Sequence, residues 1–274
     1  MKVSEIEVPT MVEPTEFKYD YPTTPKENIM RFYNHEKPIW MANPIRSSQM
    51  VLCPANQDMP NRMDGEAEDW FGTKYVFSPT YGTPTPVSGM LKDILKWKDE
   101  VKFPNLDDYD WTIGVEDFKR DPDLALMTQY GNGIWERLHI LMGIENALIS
   151  MIEEPETCKE FFMAVSDLKI DTFNRMYEQY PFDYVVYNDD WGTAKDAFFS
   201  PKLWEQVLFE PTKKLFDAFK AKGVKICLHS CGHIEKFVPY MVELGADVLQ
   251  IQPINDIAWI LKNYGDKLSV EYTT

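Results

Sequence analysis

The stretch Lys225-Ile226-Cys227-Leu228-His229-Ser230-Cys231-Gly232 sets an imidazole and a thiol two residues apart at the end of an apolar run. Residues two apart on a strand point to the same side, with Cα atoms about 6 to 7 Å apart. An imidazole nitrogen at about 2.0 to 2.1 Å and a thiolate sulfur at about 2.3 Å can therefore meet on one zinc ion above the strand end. His229 and Cys231 are the expected metal pair. Zinc takes three or four ligands from protein, so the pair needs company; alone it also fits a strand end packed with a small buried cysteine.

Two further polar clusters follow apolar runs: Asn188-Asp189-Asp190-Trp191-Gly192 and Gln250-Ile251-Gln252-Pro253. Asp189 and Asp190 are the candidate catalytic carboxylates, able to orient His229, assist proton transfer or bind substrate. Helix capping or loop solvation is the competing role, and only one of the two need face the pocket. Asn188, Trp191 and Gln252 are candidate substrate contacts; for Trp191, as for Trp70 and Phe71, packing in the core is the competing use of so large a ring. His233 falls in the first turn of the next helix and should point elsewhere. Cys227 shares the face of His229 but sits deeper, as a core residue would. His35 and His139 show no partner pattern.

The elements that must carry these groups alternate. Thr24 caps a helix that opens with Pro25, buries Ile29, Phe32 and Tyr33, and should end before Pro38. From Trp70 to Trp111 glycines, prolines and aromatics (Pro79, Gly82 and Pro84 among them) suggest long loops and short elements covering a scaffold, an irregular surface structure. Beyond it the pattern is regular: strands at 124–130, 184–187, 224–228, 247–251 and 267–272, with helices at 144–152, 155–179, 201–222, 234–244 and 254–263. Such alternation implies a parallel sheet, and the absence of a Gly-x-Gly-x-x-Gly turn after an early strand favours a (β/α)8 TIM-type barrel over an open dinucleotide-binding sheet. In a barrel the three polar clusters share the mouth at the carboxyl ends of the strands.

Composition fits a globular chain: 274 residues, 44% hydrophobic and 26% charged, enough for a sizeable core. With 44 acidic against 28 basic side chains the net charge is −16, which disfavours nucleic-acid binding, because phosphates need a concentrated basic face. Cysteines at 53, 158, 227 and 231 form no paired framework, and no run suits a signal peptide or a membrane span, so a cytoplasmic protein is expected. Residues 1–24 read as an acidic, proline-interrupted extension and 25–274 as one barrel domain.

Asn188-Asp189-Asp190-Trp191-Gly192, Ser200-Pro201-Lys202-Leu203-Trp204, His229-Ser230-Cys231-Gly232 and Tyr264-Gly265-Asp266-Lys267-Leu268, in this order, resemble the uroporphyrinogen decarboxylase-like superfamily from about Pro25 to Leu268. The superfamily has a metal-free decarboxylase branch and a zinc-dependent branch that exchanges methyl groups with a corrinoid protein. His-x-Cys-Gly resembles the second, which implies zinc on His229 and Cys231, a corrinoid-bearing partner protein and a small methylated substrate. The decarboxylases carry an arginine-rich motif near the amino terminus, where this chain offers only Arg46 beside Ser47 and Ser48, so decarboxylation is the second reading; an inactive docking scaffold is a third. The relatives continue past Lys267 to Glu271 into a final strand bearing a further cysteine, so the expected barrel lacks its last strand–helix unit. Glu271 or an Asp189 oxygen could supply the third ligand instead. An unclosed barrel would leave sheet edges open to pairing with a second copy, so a homo-oligomer is compatible with the sequence.

Overall fold

Helix α1 (Pro25–Tyr33) begins with a reciprocal cap: Thr24 Oγ1 accepts from Glu27 N, and the Glu27 carboxylate accepts from Thr24 N, behind a first-turn proline. The computed structural model describes residues 22–58, 66–78 and 83–272; most of the expected N-terminal extension, together with Pro79 and Gly82, lies outside them. The buried face of α1, Ile29 and Tyr33, packs against Ala125, Tyr184, Cys227 and Val248 and so plugs the floor of the sheet. Helix α2 (Pro44–Ser47) then leads into strand β1 (Ser48–Met50).

Strands β2 (Glu66–Glu68), β3 (Lys74–Ser78) and β4 (Thr83–Pro86) form a separate antiparallel sheet, followed by the short helix α3 (Trp97–Glu100). Short elements separated by loops agree with the expectation between Trp70 and Trp111; what is corrected is that the segment is surface structure. Phe71, Leu91, Ile94, Trp97, Leu106 and Trp111 are all buried in the main core. Gly72 and Gly89 take positive φ in its bends and Pro84 and Pro86 lie within β4, whereas its aromatics anchor it. Beneath it lies a buried ionic cluster: Arg137 pairs with Asp69 at 2.5 Å and Asp58 at 2.8 Å, Lys169 reaches Asp58 at 2.5 Å, and the guanidinium lies 4.3 Å from the Phe71 ring centre.

The regular half follows the expected alternation. Its elements are β5 (Ala125–Tyr130), α4 (Ile134–Met142), α5 (Ile144–Glu153), α6 (Pro155–Gln179), β6 (Tyr184–Asn188), α7 (Pro201–Trp204), α8 (Glu210–Ala221), β7 (Lys225–Ser230), α9 (Val238–Leu244), β8 (Val248–Ile251), α10 (Ile257–Tyr264) and β9 (Ser269–Tyr272). The helix expected over 201–222 is interrupted by a π-helical turn at Glu205–Phe209. Pro211 accounts for it: the ring cannot donate to the preceding turn and clashes with its carbonyl, so the helix widens there.

Six strands pair in parallel in the order β1-β5-β6-β7-β8-β9, with β1 and β9 as the edges among the described residues. This is the barrel type of α/β architecture expected from the alternation. Inward-facing side chains lie in rows across the strands. Val186, Cys227, Val248 and Ser269 form one row, and Asn188, His229, Gln250 and Glu271 form the row above it, at the carboxyl ends.

Candidate metal centre

Strand β7 delivers His229 to the mouth because Cys227 and His229 share its inward face while Ile226 and Leu228 pack outward into the helix layer. Just beyond, Gly232 has φ +90°, and a Cβ there would lie 2.2 Å from the carbonyl carbon of Gly192. The glycines of the two motifs are thus pressed backbone to backbone, which only residues without side chains allow. That contact brings the loop after β6 against Cys231, whose backbone N–H donates to Asp190 Oδ1 at 2.7 Å.

Three ligand types converge as a result. His229 Nε2 lies 3.3 Å from Cys231 Sγ and 3.6 Å from Asp190 Oδ1, and one ligand atom of each residue falls within 4.8 Å of the others. It is the one such cluster found among the described residues. His229 Nδ1 faces Gln250 Oε1 at 2.8 Å. His229 Nε2, a carboxylate oxygen of Asp190 and the Cys231 sulfur thus face one another, a donor set of the kind that holds a cation. Burial pushes the Cys231 thiol up to about 12, with the Asp190 and Glu136 carboxylates adding to the rise. A divalent cation reverses that balance, because a coordinating thiol loses its proton outright.

Asp189 goes elsewhere. Its side chain is fully buried and caps α4 from across the sheet, accepting from Trp135 N at 3.3 Å and Glu136 N at 3.0 Å. A direct catalytic role for Asp189 is corrected accordingly: both oxygens are committed to a helix end. Burial raises its pKa and, with the neighbouring Asp189 and Asp190 charges, that of Glu136, so this close pair of carboxyls keeps a proton above the ordinary carboxylate range. Trp191 is likewise corrected from substrate contact to core. It is 0% exposed and packs on Trp204 and Phe237.

Asn188 stands beside His229 in the upper row, and its Oδ1 is buried with no hydrogen-bond partner among the described residues. Gln252 accepts from Gly232 N at 2.9 Å and so secures the motif loop. Glu271, a candidate third ligand, instead accepts from Gln250 Nε2 at 2.8 Å. Cys227 is buried in the floor, and His233 sits 3.3 Å from Glu235 away from the cluster. Glu136 and His139 were not anticipated. Both lie on α4, a helix bracketed by Gly133 and Gly143; Glu136 accepts locally from Gly133 N at 2.9 Å, while the side-chain cap on Trp135 N and Glu136 N comes from the distant Asp189. Burial lowers His139 to about 4, against the opposing charge of Asp190.

Fold and site together define a parallel-stranded α/β barrel with a thiol, an imidazole and a carboxylate gathered at its mouth. The uroporphyrinogen decarboxylase (URO-D) family model matches residues 127–270, just over half of the chain, and the protein belongs to that family, whose fold is the TIM barrel. Among solved structures, a methyltransferase from Methanosarcina mazei has a similar fold, with a TM-score of 0.66 and 12% sequence identity over 92% of this chain and 83% of that one. No curated protein sequence matches significantly.

Proposed function

We propose that this chain is a zinc-dependent methyltransferase that moves a methyl group between a small substrate, of the methyl ether, methylamine or thiol class, and a corrinoid carried by a partner protein. The observation that carries the proposal is the convergence of Asp190, His229 and Cys231 on one point at the barrel mouth. One thiolate, one imidazole and one carboxylate suit zinc, and three protein ligands leave a fourth position for substrate, as catalytic zinc sites do. Membership of the URO-D family and the likeness to a methyltransferase fold support the same reading.

When bound, zinc supplies Lewis acidity that polarises a methyl-bearing heteroatom or holds a thiol as thiolate. The chain's own groups do the rest. His229 presents Nε2, Asp190 fixes the Cys231 backbone while offering an oxygen, and Gln252 and the paired glycines hold the loop. Asn188 Oδ1, buried beside His229, has no hydrogen-bond partner among the described residues. Decarboxylation of a polycarboxylate would call for several free arginines at the mouth, and of the five described arginines four are ion-paired: Arg31 with Glu36, Arg120 with Asp183, Arg137 with Asp58 and Asp69, and Arg175 with Asp107 and Asp171.

The test is zinc per chain by elemental analysis in metal-replete, desalted protein, beside His229→Ala and Cys231→Ser, followed by methyl exchange with cob(I)alamin or methylcobalamin. Near-stoichiometric zinc lost in both variants, together with exchange activity lost in folded Cys231→Ser, is the expected result. A zinc-free parent, or full activity in Cys231→Ser, overturns the assignment.

A further inference from the structure

We propose that Gln250 and Glu271 are positioning residues that hold the His229 imidazole with its proton on Nδ1 and its Nε2 lone pair aimed at the metal position, an assignment that rests on the metal reading above. The three side chains stand side by side in the upper row, on β7, β8 and β9. Gln250 bridges the other two, with Oε1 2.8 Å from His229 Nδ1 and Nε2 2.8 Å from Glu271 Oε1.

The direction of this chain follows from what each group can do. Burial raises the Glu271 pKa against the lowering effect of the Gln250 hydrogen bond; in the mildly alkaline buffer of the test the carboxylate is ionised and only accepts, so it receives from the Gln250 amide nitrogen. The amide oxygen then faces His229, and an oxygen only accepts, so Nδ1 must carry the proton. A neutral imidazole has one N–H, which leaves Nε2 bare. A bare Nε2 is also able to accept from the Cys231 thiol at 3.3 Å, with the Asp190 carboxylate as the other acceptor for that proton. A ligating histidine ordinarily hands its second nitrogen to a carboxylate or carbonyl directly. Here an amide is inserted between imidazole and carboxylate, which transmits the polarity while keeping the negative charge of Glu271 one side chain away from His229.

Glu271→Gln tests this with little change of shape. An amide at 271 can donate or accept, so Gln250 loses its enforced orientation and His229 its enforced tautomer. Histidine ring nitrogen NMR of the metal-free protein, in mildly alkaline buffer, reads the tautomer directly, and zinc competition with a chromophoric chelator reads affinity. Expected are a single Nδ1–H tautomer in the parent, a mixture in Glu271→Gln, and zinc binding weakened about tenfold or more in Glu271→Gln and in Gln250→Met. A parent protonated on Nε2, an unchanged tautomer in Glu271→Gln, or unchanged zinc affinity in both variants overturns the proposal. If the parent shows Nδ1–H and Glu271→Gln shifts it, but the parent binds no zinc, the relay stands and the metal reading falls.

Discussion

Asp189 and Asp190 leave the end of β6 in opposite directions. Alternation along an extended chain sends one carboxylate outward to the amino end of α4 and the other inward beside His229. Their substitutions should separate cleanly. Asp190→Asn is expected to weaken zinc binding at least tenfold with little change in melting temperature. Asp189→Ala should instead cost about 1 to 2 kcal/mol of stability, read by denaturant unfolding, through loss of the α4 cap. His139 adds a pH signature. Its folded pKa, about 4, lies below the ordinary imidazole value of about 6.5, so the unfolded chain binds the extra proton between these limits. Stability from this residue is therefore complete above about pH 6.5 and lost as pH falls toward 4. His139→Gln should flatten that part of the unfolding profile; an identical profile would show that His139 is not held neutral.

Where two elements meet, a few contacts decide the geometry. Arg137 on α4 joins the antiparallel sheet to the barrel through Asp58 and Asp69, and removing one member of a buried ionic set leaves uncompensated charge. Arg137→Met is expected to cost about 3 to 5 kcal/mol, visible as a large drop in the denaturant midpoint. Gly232→Ala would force a methyl group to within 2.2 Å of Gly192, separating the two loops that bring Asp190 to Cys231. It should abolish tight zinc binding while leaving the helical circular dichroism in place. Most of these elements were legible in the sequence. The long helix α6 matches its expected bounds, and β6, β7 and β8 differ only at their ends, because strand and helix periods are local properties of the chain. α4 was not read, since its flanking glycines resemble a loop; the local Glu136 contact to Gly133 N was the one signal, and the residue that accepts from its first-turn amides lies 53 and 54 residues away in sequence. The π-helical turn was masked because a proline at 211 within a helix pattern signals a break without fixing its form.

As a whole molecule, the barrel is a frame closed below by α1, with the row of Asn188, His229, Gln250 and Glu271 at its opposite end. Ile29 and Tyr33 fill the floor, so ligands meet the sheet at the carboxyl ends of its strands. Among the described residues no helix is long and apolar enough to cross a membrane. A metal that binds the folded barrel and not the unfolded chain should stabilise all of it: free zinc at about 100 times its dissociation constant adds about 2.7 kcal/mol. The melting temperature should rise by several degrees with zinc and fall back on chelation, and neither change should occur in Cys231→Ser. The alternating α/β plan, the inward pairing of His229 with Cys231 and the helix starting at Pro25 were determined by the sequence itself, since each depends on neighbours a few residues apart. The approach of Asp190 to Cys231, the Asp189 cap on α4 and the Gln250–Glu271 contact were decided only by tertiary structure. They join groups 41, 53 and 21 residues apart, and a chain that long has no local preference to bring them together; the strand register and the contact of two glycines do so.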